Sequence, residues 1–195
     1  MKVKPVILCG GEGTRLFPSI KKSPLKQFIN FGGWTLFEKT LDRIQNPIFD
    51  SPVISSNKKY EKIILSVLKK KKIKQFKIIL EPFKKNTAPA IISSALIASI
   101  KNKQPILFLP SDHYLPEKDK FVKILKLNLS NLSSSNIFIF GMKPITANPD
   151  YGYLLSRKIN VKINKVVKFI EKPSEKKAKK IIIQKGYWNS GIVLA

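Results

Sequence analysis

The chain has 195 residues, 43% of them hydrophobic, which suits one folded domain or part of one. Its formal net charge of +25 arises from 37 Lys and Arg against 12 Asp and Glu, yet only three of the cations are Arg. Because nucleic-acid interfaces rely mainly on the planar guanidinium, and the Lys residues form no single patch, we expect no specific nucleic-acid partner. Cys9 is the only cysteine and no apolar stretch could span a bilayer, so we expect a soluble, cytoplasmic protein without internal disulfides or a membrane partner.

Short apolar runs predict β-strands that alternate with helices along the chain. The predicted strands are Pro5–Leu8, Pro52–Ser55, Phe76–Leu80, Ile106–Leu109, Ile137–Gly141 and Val166–Ile170. Helical spacing of apolar residues predicts helices over 34–44, Lys58–Lys71, Ala88–Ile100 and Lys120–Leu132. Several strands are almost continuously apolar, which is typical of parallel strands covered on both faces. The alternation therefore predicts an α/β fold, a Rossmann-like three-layer domain with a mixed, mostly parallel sheet over residues 1–195.

A glycine-rich segment, Leu8–Leu16, directly follows the first predicted strand. Glycines there let the backbone turn tightly and present N–H groups to phosphate oxygens, while a hydroxyl and a guanidinium can add further donors. The predicted nucleotide-binding residues of this segment are Gly10, Gly11, Gly13, Thr14 and Arg15. The segment lacks the Gly-Lys-Ser/Thr ending of a Walker loop and the third glycine of the dinucleotide fingerprint. Read without its context, the segment is better explained as an ordinary glycine turn with a solvated arginine.

Two more charged residues follow breaks in the predicted elements. Lys26 comes after a proline-containing loop, from which it can reach back to the phosphates that Arg15 would hold. Asp112 follows a buried strand, where a carboxylate is suited to hold Mg²⁺, a cation that prefers oxygen ligands. The alternatives are a surface lysine for Lys26 and an N-cap or Asx-turn residue for Asp112. We expect the lone His113 to be structural rather than catalytic.

Six segments resemble, in the same order, the motifs of the sugar-1-phosphate nucleotidyltransferases. They are Gly11–Leu16 with Pro24–Phe28, Glu81–Ala90, Pro110–His113, Tyr151–Tyr153, Phe169–Pro173 and Trp188–Gly191. Each segment is weak alone, but six in order over almost the whole chain are specific. The Asn-Thr-Ala-Pro-Ala and Lys-Gln-Phe elements are most similar to the mannose-1-phosphate guanylyltransferase branch. The resemblance thus implies a nucleotidyltransferase domain that joins mannose-1-phosphate to GTP, giving GDP-mannose and pyrophosphate.

The resemblance also implies a role for each matching residue. Arg15 and Lys26 would bind the triphosphate of GTP, Asp112 would hold Mg²⁺, and Lys172 would bind the sugar phosphate. These four are the predicted catalytic residues. The predicted sugar-phosphate-binding residues are Gly152, Glu171, Lys172 and Asn189. Read from local sequence alone, Glu171 and Lys172 are an exposed charge pair, and Asn189 forms a short turn after two aromatic residues.

The chain departs from the pattern of the family at several positions. Leu25 stands directly before the loop lysine, where the family usually has proline, and Lys85 replaces an arginine before Asn-Thr-Ala-Pro-Ala. The segment around Gly186–Trp188 is shortened. Family members continue past the position of Ala195, and a second acidic metal ligand usually lies there, so we expect an incomplete C-terminal end.

Three other functions stay open on the sequence. The first is another sugar-1-phosphate nucleotidyltransferase, with thymidylyl, uridylyl or cytidylyl specificity. The second is a catalytically inactive nucleotide-binding fragment, and the third is a basic polyanion binder, for which only the net charge of +25 speaks. A homo-oligomer is compatible with each of these functions.

Overall fold

The computed structural model describes residues 1–10, 25–81, 87–99, 104–160 and 163–195. They form two compact units, the first made of Met1–Ile124 with Leu194–Ala195 and the second of Leu125–Val193. Within the described ranges, no helix is both long and apolar enough to cross a membrane.

The first unit is built on four parallel strands. They are β1 (Lys4–Cys9), β2 (Val53–Asn57), β3 (Lys77–Glu81) and β4 (Ile106–Pro110), in the order β3-β2-β1-β4. In the register of the sheet, Val6 of β1 lies opposite Val53 of β2 on one side and Phe108 of β4 on the other. All strands of a parallel sheet point the same way, so the residues after β1 and β4 lie at one edge.

Helices connect these strands, as parallel pairing requires. The connecting helices are α1 (Leu36–Arg43), α2 (Glu61–Lys70) and α3 (Thr87–Ser99), and a further helix, α4 (Lys118–Asn128), follows β4. Helix α1 begins with a capping box, in which Thr35 Oγ1 accepts from the Glu38 N–H and the Glu38 carboxylate accepts from the Thr35 N–H. Its apolar side buries Phe37 and Leu41 completely, so both the start and the inner face of α1 are fixed.

The second unit combines antiparallel strands with one helix. Its elements are β5 (Phe138–Met142), β6 (Tyr153–Lys158), β7 (Asn164–Ile170), α5 (Glu175–Ile183) and β8 (Tyr187–Leu194). Strand β6 pairs antiparallel with β7 and with β8, and β5 pairs with β8. The core of the unit consists of Tyr153, Ile170, Ala178 and Ile181, which come from β6, β7 and α5.

The structure confirms the predicted α/β class with a mixed sheet. All six predicted strands are present, with ends that differ from the prediction by at most two residues. The sequence analysis missed β6, α5 and β8. A signal for α5 was present, because Ser174 follows a proline and caps the helix by accepting from the Lys177 N–H.

Candidate functional site

The predicted phosphate-binding edge of the first unit is formed by the residues that follow β1 and β4. Gly10 comes directly after β1, and a Cβ added there would meet no described atom within 4 Å. Asp112 follows β4, and the Ser111 N–H donates to the Leu8 carbonyl at 3.2 Å, which ties the start of the Asp112 segment to β1. A carboxylate beyond the strand next to Gly10 is suited to meet a ligand at this edge.

Lys26 and Asp112 come together at this edge. The distance between Lys26 Nζ and Asp112 Oδ2 is 3.5 Å, although the residues are far apart in sequence. Lys26 begins a short 3₁₀ turn, and the next two residues, Gln27 and Phe28, are buried, with the ring of Phe28 edge-on to that of Phe37. The turn thus fixes the backbone of Lys26, while the Asp112 side chain stays 37% exposed and accessible to a ligand.

His113 lies beside this ion pair. Its Nε2 is 3.6 Å from Asp112 Oδ1. Burial is the main cause that lowers the pKa of His113; Asp112 opposes it, and the positive charges of Lys26 and Arg43 add to the lowering. The imidazole is therefore mainly neutral at pH 7, and it contacts the carboxylate without adding a charge to the edge.

The other potential nucleophile near this edge, Cys9, is buried completely at the end of β1. Burial is the main cause that raises the pKa of its thiol to about 12. A thiol with such a pKa stays protonated at physiological pH and is a poor nucleophile. The chemistry available here is therefore the binding and neutralisation of charge rather than covalent catalysis by Cys9.

The donors at this edge fit Mg²⁺ when a phosphate ligand is also present. Among the described residues, no three His, Cys, Asp or Glu side chains cluster as a ready-made metal site. Mg²⁺ commonly keeps several waters and is held by one or two carboxylates together with substrate phosphates. Asp112, whose side chain is 37% exposed, can supply one such carboxylate.

Four of the predicted nucleotide-binding residues, Gly11, Gly13, Thr14 and Arg15, lie outside the described residues. Their roles stay predictions from the sequence.

In the second unit, Gly152, Glu171 and Lys172 form the predicted sugar-phosphate cluster. A Cβ added at Gly152 would lie 2.8 Å from Glu171 Oε2, so the carboxylate rests against the glycine. Lys172 Nζ is 3.7 Å from Glu171 Oε1, and both side chains are about half exposed. Lys172 has a positive φ of 42°, a conformation that few non-glycine residues adopt. These two polar groups are thus accessible to a ligand and held at the end of β7.

The interpretation of Asn189 as a turn residue was wrong. Asn189 lies inside β8, and its N–H donates to the Gly152 carbonyl at 2.8 Å. Its side-chain oxygen accepts from the Gly191 N–H at 3.0 Å, where Gly191 has a φ of 69°. The local sequence looked like a turn because Asn189 and Gly191 shape an irregularity within the strand. The backbone of Asn189 nevertheless joins it to Gly152, its predicted neighbour at the sugar.

Sequence reasoning missed Arg43, the last residue of α1. Its side chain is 2% exposed, and Nη2 donates to the His113 carbonyl at 2.9 Å. The signal was the composition itself, because a chain that uses Lys almost everywhere keeps Arg at only three positions. An arginine kept in such a chain indicates a position where the planar guanidinium does what a lysine would not.

Comparisons with known proteins agree with this architecture. Residues 4–195 match the family model described as "Nucleotidyl transferase". The alginate biosynthesis protein AlgA of Pseudomonas fluorescens is 34% identical over 196 residues, which cover 97% of this chain and 41% of that protein. A mannose-1-phosphate guanylyltransferase of Escherichia coli is 34% identical over 200 residues, which cover 97% of this chain and 43% of that protein. The chain therefore spans about two fifths of the length of these curated relatives.

A solved structure extends the likeness to three dimensions. A crystal structure from Thermus thermophilus, described as a mannose-1-phosphate geranyltransferase, superposes with a TM-score of 0.83 at 26% identity. The superposition covers all of this chain and 57% of that one.

Proposed function

The chain belongs to the nucleotidyl transferase family, and on that premise we propose that it transfers GMP from GTP to mannose-1-phosphate, giving GDP-mannose and pyrophosphate. The sequence motifs of the guanylyl branch support the choice of base and sugar. The name of the Escherichia coli relative, a mannose-1-phosphate guanylyltransferase, supports it as well.

The observation that carries the proposal is the Lys26–Asp112 pair at the carboxyl edge of β1 and β4. A transfer between two phosphates needs a cation for the triphosphate and an oxygen ligand for Mg²⁺ within a few ångströms. The two side chains are 3.5 Å apart and partly exposed. When GTP arrives, Lys26 can turn to the phosphates and release the Asp112 carboxylate for the metal. The ion pair thus keeps both groups at the place where they act.

In this reaction an oxygen of the sugar phosphate attacks the α-phosphorus of GTP, and the bond to the leaving pyrophosphate breaks. Both reacting groups belong to the substrates, so the protein contributes by binding and orienting them. In the proposed reaction Arg15 and Lys26 would bind the triphosphate, and Gly10, Gly11 and Gly13 would bind the nucleotide, as their sequence motif implies. Asp112 would hold Mg²⁺, which would neutralise part of the phosphate charge when it is bound.

The sugar phosphate is assigned to the second unit. Lys172 pairs with its phosphate, and the Glu171 carboxylate accepts from hydroxyl groups of the hexose. Glycine at position 152 lets the Glu171 carboxylate keep this place, since a Cβ there would lie 2.8 Å from Glu171 Oε2. Asn189 acts beside Gly152, to which its backbone is bonded.

The proposal is tested by measuring pyrophosphate release from mannose-1-phosphate with GTP, dTTP, UTP or CTP, each with Mg²⁺. We expect turnover to be highest with GTP. The variant Asp112→Asn removes the carboxylate charge at nearly constant size, and we expect its kcat to fall by about 10²-fold or more. Asp119→Asn is the matched control, because Asp119 is an exposed carboxylate of α4 without an assigned role.

Each outcome separates the alternatives. Preference for dTTP, UTP or CTP would replace the proposal by another sugar-1-phosphate nucleotidyltransferase. Binding of GTP without turnover under any condition would favour a catalytically inactive nucleotide-binding fragment. Equal activity of Asp112→Asn and the wild type would remove Asp112 from the mechanism.

A further inference from the structure

Several contacts along α1 fix the position of Arg43, its last residue. The helix is fixed at its start by the Thr35–Glu38 capping box, and the buried Glu38 is also paired with Lys70 at 2.7 Å. The buried side chains of Phe37 and Leu41 fix the helix along its length. The last residue of such a helix has little freedom, so Arg43 presents its guanidinium at a defined point.

The guanidinium of Arg43 is buried with few partners. Nη2 donates to the His113 carbonyl at 2.9 Å, and the Phe121 ring lies 6.0 Å from the guanidinium carbon. Nε and Nη1 are buried and have no hydrogen-bond partner among the described residues. Burial lowers the pKa of Arg43 to about 10, yet the group stays protonated at neutral pH. A buried, incompletely paired cation opposes folding, so stability alone does not explain this residue.

The one side-chain hydrogen bond that Arg43 makes within the described part of the chain reaches the segment that carries Asp112. At the start of this segment, the Ser111 N–H is bonded to the Leu8 carbonyl of β1. At its end, the His113 carbonyl is bonded to Arg43. Asp112 is the residue between these two anchors. Without Arg43, the backbone next to Asp112 would lose the second of them.

We propose that Arg43 is a positioning residue, which holds the backbone after Asp112 so that the carboxylate faces the nucleotide edge. The inference rests on the proposed function, because it concerns the orientation of the carboxylate that function uses. Arg43 itself does not touch the substrate. A displacement of a reacting or metal-binding group by about 1 Å can cost roughly 10²-fold in rate, which sets the scale of the expected effect.

The anchor is tested first without any activity, by hydrogen exchange of the backbone amides of residues 111–114. Arg43→Met keeps much of the aliphatic volume and removes the donor, and replacing a buried charge by an apolar group is often neutral for stability. We expect exchange to be at least about tenfold faster at residues 111–114 and unchanged in β1 and β2. Arg157→Met is the matched control, because Arg157 is an exposed arginine of β6. If Arg43→Met does not fold, Arg43→Lys, which keeps the charge but loses the planar fork, takes its place.

The catalytic consequence is tested with the same variants in the pyrophosphate assay. We expect kcat of Arg43→Met to fall by about 10²-fold, KM for GTP to change by less than about threefold, and Arg43→Lys to recover part of the loss. Unchanged exchange at residues 111–114 would overturn the proposal, as would faster exchange with a wild-type kcat. Faster exchange throughout the first unit would assign Arg43 a merely structural role. A wild type without turnover would refute the proposed function, while the exchange data would still decide whether the anchor exists.

Discussion

Replacing Gly152 by Ala separates the geometry of the sugar site from the stability of the fold. The added Cβ would lie 2.8 Å from Glu171 Oε2 and 3.1 Å from Phe169 Cζ, where ordinary contacts begin at 3.4 Å. The carboxylate must therefore move by about 0.6 Å, and its side chain, 58% exposed, can do so at little cost. We expect a loss of less than about 1 kcal/mol in the free energy of unfolding.

The same movement displaces Glu171 from the place where it would contact the hexose. A shift of this size scales to a roughly tenfold fall in kcat/KM, or about 1.4 kcal/mol in transition-state stabilisation. The measurement is kcat/KM for mannose-1-phosphate together with the melting temperature. A Gly152→Ala variant with wild-type kcat/KM would refute the assignment of Glu171 to the sugar.

Gly186→Ala is the control, because its added Cβ would collide with packed core atoms rather than with an exposed side chain. Its Cβ would lie 2.4 Å from Ile181 Cγ2 and 3.0 Å from the Ile181 carbonyl oxygen, within the packed core of the second unit. Such overpacking costs about 1–3 kcal/mol, or a melting temperature lower by several degrees. We expect kcat/KM of the folded fraction to stay close to that of the wild type. We therefore expect Gly152→Ala to lower activity with little loss of stability, and Gly186→Ala to lower stability with little loss of activity.

Three further predictions concern stability and charge. Lys72 and Lys185 have positive φ at the C′ positions of α2 and α5, so Lys72→Gly and Lys185→Gly are each expected to raise the free energy of unfolding by up to about 1 kcal/mol in urea titrations. Gln184→Gly is the control, because Gln184 has an ordinary φ of −76°, and it is expected to lower the free energy of unfolding. The hydrogen bond from Lys4 is the main cause that lowers the pKa of Asp50 to about 2, so its stabilisation is present above the unfolded pKa and is lost as the pH falls towards 2. Asp50→Asn is thus expected to lower the free energy of unfolding by about 1–2 kcal/mol at pH 7. The difference between wild type and variant should shrink between about pH 4 and pH 2, and a difference that stays constant would contradict this reasoning. Binding to a DNA duplex should be weak and collapse near physiological salt in a titration followed by fluorescence anisotropy, and sequence-selective binding that survives such salt would revive the polyanion alternative.

The sequence predicted the first unit better than the second, for a physical reason. Strands such as β1 and β4 are buried on both faces, so their residues form continuous apolar runs that are visible without tertiary information. Strand β6 begins with buried Tyr153 and Leu154 but ends in exposed charged residues, and β8 contains Asn189 and Gly191. Their strand conformation depends on pairing with each other, which local sequence does not reveal.

The candidate site shows the same division. That Asp112 would follow a strand was predictable, because an apolar run ended just before it. That Lys26 would lie 3.5 Å from Asp112 was not, since the distance depends on how the turn that begins at Lys26 packs through Gln27 and Phe28. Arg43 carried no local signal of its partner, because the His113 carbonyl is 70 residues away. Pairings between distant loops follow from the tertiary fold, and the motifs only indicate which residues take part.

Backbone strain at Lys172 is a further feature that the sequence does not reveal, and it bears on function. Lys72 and Lys185 have positive φ because each ends a helix, where the left-handed conformation allows the last carbonyl groups to be hydrogen-bonded. Lys172 instead lies two residues after the end of β7, and the residue after it is Pro173, which restricts the backbone before it. No helix cap offsets the strain at Lys172. Strained residues persist where the conformation is used, and here it places an exposed ammonium group next to the Glu171 carboxylate. The strain therefore supports a ligand-binding role for Lys172 independently of the motif that contains it.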